Sequence, residues 1–137
     1  MSIVSLHNID INFFDFINND ETQIFKCFLD NKSYTFSDNK INEDNSLLPS
    51  FNAVLNNDIN YIDKYIKTTY IYKNITLQTS LMLACYISNY DMVLKLLDKE
   101  IGYVDLYDRS ALFYAMNSIK PDERIIKLIS EYEYFNL

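Results

Sequence analysis

The residues that could bind a metal ion are few and lie far apart in the sequence. His7 is the only histidine, and the two cysteines, Cys27 and Cys85, do not form a CxxC pair. Structural zinc sites use several Cys or His ligands at short, fixed spacings, so we expect no metal site. Both cysteines stand in apolar helical patterns, which predicts small buried side chains in a reducing compartment. A disulfide between them is the alternative.

Two acidic residues could support acid–base chemistry. Asp105 and Asp108 lie close together, next to Arg109. Paired carboxylates can transfer protons in catalysis, but aspartates in turns also bond their own backbone two residues further on. We favour the turn interpretation. Phosphate-binding loops need several glycines, and Gly102 is the only one, so we expect it to end a helix. The sequence has no recognisable nucleophile–base pair, and we predict no enzyme activity, no catalytic residue and no cofactor.

The elements that would position these residues come from a repeated phrase. Residues 79–85 read TSLMLAC and residues 110–116 read SALFYAM, beginning 31 residues later. Ala53, Ala84 and Ala115 share the same spacing. Self-similarity at such a period is typical of stacked helix pairs, because one pair cannot bury both of its faces alone.

Each alanine lies in a predicted short helix, which a turn joins to a longer helix. The short helices are expected over 50–56, 80–88 and 110–118, and the long ones over 58–66, 90–97 and 121–131. Apolar residues in the last two long helices form one stripe each. Pro121 suits the first turn of the last helix, where two inserted residues are needed to keep the repeat in register. Residues 31–45 read as a polar loop.

Composition and charge set further limits. The chain has 137 residues, of which 49% are hydrophobic, enough for one domain with a buried core. One glycine and two prolines argue against an all-β fold rich in tight turns. The net charge of −7 and the scattered basic residues argue against nucleic acid and anionic membranes as partners. There is no apolar run of roughly 20 residues and no basic N-terminal region, so we expect neither a membrane span nor a secretory signal.

The repeated phrase resembles the ankyrin repeat, whose consensus is Thr-Pro-Leu-His, an apolar residue and two alanines, then Gly-His and a Val/Leu-rich helix. The match is good over 74–129 and weaker over 48–73. This chain lacks the histidine and the proline, and its period is 31 residues against about 33 in the family. Four other residues replace the usual glycines: Leu77 and Asp108 in the turns, and Asn57 and Ser88 in the loops within helix pairs. The shortened repeat is similar to those of diplomonad-parasite or viral ankyrin proteins.

The resemblance implies an all-α, ankyrin-type solenoid of about three to four stacked helix-turn-helix repeats. The single domain, 1–137, would comprise a degenerate N-terminal repeat or cap over 1–45, then repeats over 46–76, 77–107 and 108–137. Thr79 and Ser110 would cap the short helices. The location would be cytoplasmic.

The function implied by the resemblance is a non-enzymatic scaffold that binds a protein through its turn tips and short helices. The expected partner-binding residues are Ile75, Thr76, Gln78, Tyr86, Leu106, Tyr107, Arg109 and Asn117. The chain has 12 tyrosines, which either indicate binding surfaces or reflect overall composition. An alternative is a self-assembling structural element, in which Ile125, Ile129 and Phe135 form an apolar C-terminal end.

Overall fold

The computed structural model describes residues 33–37, 40–44 and 48–135, with the side chains of residues 48–134. This part of the chain is mostly helical, as predicted. The helices are α1 (Pro49–Leu55), α2 (Ile59–Tyr65), α3 (Ser80–Tyr86), α4 (Tyr90–Glu100), α5 (Ala111–Met116) and α6 (Glu123–Phe135). The predicted alternation of short and long helices is present in the second and third pairs, although α1 and α2 are equal in length.

The described residues also form a small sheet, which the sequence analysis did not predict. Its strands are β1 (Ser33–Ser37), β2 (Lys40–Asp44) and β3 (Ile71–Asn74), in the order β2-β1-β3 with both pairings antiparallel. The prediction of a polar loop over 31–45 was therefore wrong. The strand signal is present in β1, where aromatic residues alternate with hydroxyl residues. The rest of the proposed N-terminal repeat, residues 1–32, 38–39 and 45, lies outside the described residues.

The six helices form three pairs in chain order, α1 with α2, α3 with α4, and α5 with α6, and successive pairs contact each other. The short helices α1, α3 and α5 carry Ala53, Ala84 and Ala115, all of which are buried. The first two alanines have the same surroundings along the backbone, since Asp58 N donates to Ala53 O at 2.8 Å and Asn89 N donates to Ala84 O at 2.9 Å. The small side chain therefore sits at the same point of each short helix.

The core lies between the helix pairs. The stripe of Met92, Val93, Leu96 and Leu97 on α4 is buried, as predicted. Burial of each such side chain contributes about 1.5–3 kcal/mol. On α6, Ile125 and Ile129 are buried too, at 1% and 0% exposure. These two isoleucines therefore do not form an exposed apolar end, which corrects that part of the self-assembly hypothesis. The side chain of Phe135 lies outside the described residues.

The four residues at the consensus glycine positions all have a left-handed backbone conformation. Asn57, Leu77, Ser88 and Asp108 have φ values of 55°, 61°, 56° and 62°. This left-handed region costs a residue other than glycine roughly 1–2 kcal/mol, and only the surrounding structure can hold a leucine or serine there. Gly102, at φ 93°, follows the end of α4 as expected.

The helix ends were predicted only in part. Asp58 and Thr79 cap α2 and α3, because their side chains accept hydrogen bonds from Tyr61 N and Met82 N. Ser110 does not cap α5, and its hydroxyl donates instead to Glu133 at 3.1 Å.

At the start of the last helix, the predicted boundary was too early. The helix α6 begins at Glu123, so Pro121 precedes it, and Asp122 accepts from Arg124 N at 2.9 Å. Throughout the part of the chain that the structure describes, every helix is too short or too polar to cross a membrane.

Candidate functional site

The candidate site is built on two turns that precede α3 and α5 and have the same hydrogen bonds. Asn74 Oδ1 accepts from Thr76 N at 3.1 Å and from Gln78 N at 2.9 Å. Thirty-one residues later, Asp105 Oδ1 accepts from Tyr107 N at 2.8 Å and Arg109 N at 3.0 Å. The preference for a turn-making role of Asp105 over an acid–base role is therefore supported by its contacts.

A chain of buried side chains joins the two turns. Tyr114 Oη donates to Asp105 Oδ2 at 2.6 Å and accepts from Gln78 Nε2 at 2.9 Å. Asn74 Nδ2 in turn donates to Gln78 Oε1 at 2.7 Å. Backbone contact reinforces this link, because Leu106 N donates to the carbonyl of Thr76 at 2.8 Å. Burial raises the pKa of the Asp105 carboxyl, although the hydrogen bond from Tyr114 opposes that rise.

Half of the residues expected to bind a partner are buried. The buried ones are Ile75, Thr76, Gln78 and Tyr86, each no more than 5% exposed. Thr76 and Gln78 are held inside the turn network, and the Tyr86 carbonyl accepts from Ser118 Oγ and Ile119 N in the loop after α5. The expectation that these four side chains form an accessible surface is corrected, because all four are buried, Thr76 and Gln78 within the turn network and Tyr86 in the core.

The other four expected residues are partly exposed, and three of them lie together. Leu106, Tyr107 and Arg109 belong to the second turn, and the Arg109 guanidinium lies 5.7 Å from the Tyr107 ring centroid. It lies 4.7 Å from the ring of Phe113 on α5. We call Leu106, Tyr107, Arg109 and Phe113 the turn surface. Asn117 is the residue that follows α5, and its side-chain amide donates to the backbone carbonyl of Phe113 at 2.9 Å.

The sequence analysis did not select Phe113 or the exposed residues that precede this turn. Tyr103 is 36% exposed and Val104 is 41% exposed. The ammonium group of Lys73 lies 4.2 Å from the Tyr103 ring centroid. The exposure of Tyr103 and Val104 could have been predicted, because they lie in the connecting segment between Gly102 and Asp105 and such segments run over protein surfaces.

At the opposite end of the short helices there is an open polar groove of about 580 Å³. Its lining includes Asn57, Ser88, Asn89, Tyr90 and Arg124. The Arg124 guanidinium lies 4.3 Å from the Tyr90 ring centroid and pairs with Asp122 at 2.9 Å. The hydrogen bonds from Arg124 lower the pKa of Asp122, so this acid is held as a carboxylate.

The remaining chemistry of the described residues is limited. Among them there is no group of three or more His, Cys, Asp or Glu side chains that could hold a metal ion. Cys85 is a free, fully buried thiol within α3, which confirms its predicted packing role, and burial raises its pKa. His7 and Cys27 lie outside the described residues. In comparisons with known protein families, characterised proteins and solved structures, the chain matches none of them.

Proposed function

We propose that this chain is a non-enzymatic protein–protein interaction scaffold of ankyrin-repeat type, which binds a protein partner through the turn surface. The observation that carries the proposal is the pairing of left-handed residues at the repeat spacing, Asn57 with Ser88 and Leu77 with Asp108. A left-handed residue just after a helix is common by itself. Its recurrence 31 residues apart in two different kinds of turn is what a repeated unit with replaced glycines predicts.

Contacts between successive helix pairs also support a solenoid, because they recur at nearly the spacing of the repeated phrase. Ser80 Oγ donates to Ser50 Oγ at 2.5 Å, 30 residues away. Ser88 and Ser118 share a hydrogen bond of 2.8 Å across the same number of residues. These bonds lie between neighbouring units, as expected where each repeat contacts mainly the next one. Three stacked units over 48–135 would account for them.

The composition of the turn surface suits protein binding. Tyrosine and arginine are enriched among residues that dominate binding energy, since both offer a large contact area with polar ends. Contact with two rings restrains the Arg109 guanidinium, so it would lose less freedom on binding. The predicted partner is another protein, and the free buried thiol of Cys85 fits the proposed cytoplasmic location.

The test is affinity capture from cells that contain the protein, with the Tyr107→Ala and Arg109→Ala double variant. Both residues hold the turn through backbone groups, because Tyr107 N and Arg109 N donate to Asp105 and Arg109 O accepts from Asp105 N. The turn should therefore persist while the side chains are lost. We expect the captured partner to be lost or reduced at least tenfold.

A matched control is the Tyr90→Ala and Arg124→Ala double variant. It also removes one aromatic ring and one guanidinium in contact with it, but at the opposite end of the short helices. Partner capture should persist in this control. Equal capture by wild type and the turn-surface variant would contradict the proposed binding site.

The second candidate function is self-assembly through exposed apolar side chains at the C-terminal end. Met116 is 58% exposed and Ile119 is 54% exposed, whereas Cys85, which precedes Met116 by the repeat spacing, is fully buried. A further unit stacked here would cover them. Light scattering should then show an oligomer that Met116→Glu dissociates and the turn-surface variant leaves intact. A wild-type monomer at all concentrations would contradict this alternative.

A further inference from the structure

A buried acid occupies the junction between the first two helix pairs. Glu100 is the last residue of α4 and is only 1% exposed. It lies on the same stripe of α4 as the core residues Leu96 and Leu97. An ionisable group in such a position is rare, because transferring a charge out of water costs several kcal/mol unless it is paired.

Its two carboxyl oxygens contact different helix pairs. Oε1 accepts from Leu81 N, in the first turn of α3, at 2.7 Å. Oε2 accepts from Tyr65 Oη, at the end of α2, at 2.5 Å. The same Tyr65 oxygen accepts from Tyr72 N of β3 at 3.1 Å. One carboxyl group therefore links α4 and α3 of the second pair to α2 and β3 of the first.

The charged groups around Glu100 do not neutralise it by direct contact. Within the described part of the chain, the ion pairs involve Asp63 and Asp122, not Glu100. The Lys99 ammonium lies 4.5 Å from the Tyr65 ring centroid and donates to the Thr68 carbonyl.

Other titratable groups lie on the elements packed against Glu100. On α2 these are Tyr61, Lys64 and Asp63, and Asp63 pairs with Lys95. On β3, the Lys73 ammonium lies over Tyr103, and Tyr72 contacts the network through its backbone. On α3, the titratable groups are the buried thiol of Cys85 and the buried phenol of Tyr86. The lysine charges thus act on Glu100 only from a distance.

We propose that Glu100 is a proton-linked latch: it takes up a proton from water when the first two helix pairs join, and the junction weakens when that proton leaves. Two hydrogen bonds without a cation do not compensate a buried carboxylate fully, which favours the neutral acid. The contact with Tyr65 can persist in both states, because a hydroxyl can donate to a carboxylate or accept from a carboxylic acid.

The electrostatics agree with this arrangement. Burial raises the pKa of the Glu100 carboxyl to about 7 from an ordinary value of 4.5, although Tyr65 and Leu81 oppose the rise by hydrogen bonding. Burial and the neighbouring Glu100 charge raise the pKa of Tyr65, so its phenol stays protonated in this range. A raised acid pKa in the folded state means that the stabilisation is complete below pH 4.5 and is lost as pH rises through about 7.

The third helix pair offers a natural control. Glu133 on α6 has the same relation to α5: its Oε1 accepts from Leu112 N at 3.3 Å and its Oε2 accepts from Ser110 Oγ at 3.1 Å. Glu133 is only partly buried, so water reaches it. Its partners all belong to one helix pair, whereas Glu100 joins two. Glu133 therefore accepts a backbone hydrogen bond from the start of its short helix, as Glu100 does, but it does not link two helix pairs.

The experiment is equilibrium unfolding of the full chain in urea between pH 4.5 and 8, for wild type, Glu100→Gln and Glu133→Gln. Glutamine keeps the size of the side chain and cannot titrate. Relative to Glu100→Gln, the unfolding equilibrium constant of wild type should rise by up to about tenfold per pH unit through the window, the limit for one proton. Glu133→Gln should keep the wild-type dependence, and parallel wild-type and Glu100→Gln profiles would overturn the proposal.

Wild type alone gives a second measurement if Glu100→Gln does not fold. Carbon-detected NMR follows each glutamate side-chain carboxyl during a pH titration of the native protein. We expect one glutamate to titrate near pH 7, and Tyr65→Phe should shift its midpoint upward, because that hydrogen bond stabilises the carboxylate. A set of midpoints that all lie near the ordinary value for glutamate would overturn the proposal.

Discussion

The two junctions between helix pairs both contain bonds between side chains, but they differ in their use of the backbone. At the first junction, between α1–α2 and α3–α4, pairs of side chains bond to each other along the whole interface. These pairs are Ser80 with Ser50 (2.5 Å), Asn89 with Asn57 (3.2 Å), Lys95 with Asp63 (2.7 Å) and Glu100 with Tyr65 (2.5 Å). Many of these contacts can be removed by substitution without touching the backbone.

The second junction, between α3–α4 and α5–α6, uses the backbone at both ends of α3. Leu106 N donates to Thr76 O at 2.8 Å on the turn side, and Ile119 N donates to Tyr86 O at 3.2 Å on the loop side. The Ser118 hydroxyl also donates to Tyr86 O, at 2.6 Å. The loop between α5 and α6, residues 117–122, is longer than the loop between α3 and α4, residues 87–89. Helix pairs that pack in the same order can therefore be linked by side-chain bonds at one junction and by additional backbone bonds at the next.

The largest effect is expected from enlarging the central alanine, which tests whether the two junctions share one packed helix. Ala84 has no exposed surface, and α3 contacts both α1 and α5. Ala84→Leu adds three carbon atoms that can be accommodated only if α3 moves away from its neighbours. We expect a loss of about 3 kcal/mol in the free energy of unfolding, measured with urea.

Ala115→Leu is the comparison for that experiment. Among the described helices, α5 has one short-helix neighbour, α3, so the helix can shift away from it. We expect a loss of about 1 kcal/mol, at the low end of the range for overpacked cores. Equal losses for the two variants would mean that Ala84 is packed no more tightly than Ala115. That result would contradict the central packing role given to α3.

A smaller effect is expected from Tyr114→Phe, which removes a buried link within the second junction. The substitution deletes the hydroxyl that donates to Asp105 and accepts from Gln78. Two buried polar groups then lose a partner, which predicts a loss of about 2 kcal/mol at pH 7.

The loss in Tyr114→Phe should depend on pH. Burial already raises the pKa of Asp105, and loss of the Tyr114 hydrogen bond removes a contribution that lowers it. The extra cost falls on the ionised acid, so it is present at neutral pH and fades as pH falls below the folded pKa. Urea unfolding at pH 7 and near pH 3.5 measures this difference, and an equal loss at both values would contradict the role given to Asp105.

Much of the helical arrangement could be predicted because it depends on local signals. The spacing of Ala53, Ala84 and Ala115 located the short helices, and the apolar stripes located the faces of α4 and α6 that are buried. The positions that replace glycine could also be predicted, because the repeat consensus has glycine at these points and glycine there indicates a left-handed backbone.

The accessible surface could not be predicted in the same way, because burial depends on contacts between distant residues. Thr76 and Tyr86 have ordinary turn and helix-end positions, but both are buried, and their carbonyls accept hydrogen bonds from Leu106 and Ser118, which lie far away along the chain. Strand pairing of β1 with β3 is equally non-local.

Glu100 could have been found from the sequence. It follows Leu96 by four residues on the buried stripe of α4, and Glu133 follows Ile129 in the same way on α6. An acidic residue therefore stands at the end of the apolar stripe in both helices, which indicates a shared structural role. Here each glutamate accepts a hydrogen bond from a backbone N–H of a short helix.

The smallest effect is expected from the ion pair of the first junction. Lys95 Nζ lies 2.7 Å from Asp63 Oδ1, with side-chain exposures of 32% and 44%. Solvent screens such a pair, so a double-mutant cycle with Lys95→Gln and Asp63→Asn should give a coupling of about 0.5 kcal/mol. The coupling should shrink in about 1 M salt, where the Debye length is roughly 3 Å. A coupling above about 2 kcal/mol, or one insensitive to salt, would mean that this charge pair rather than the uncharged contacts holds the first junction together.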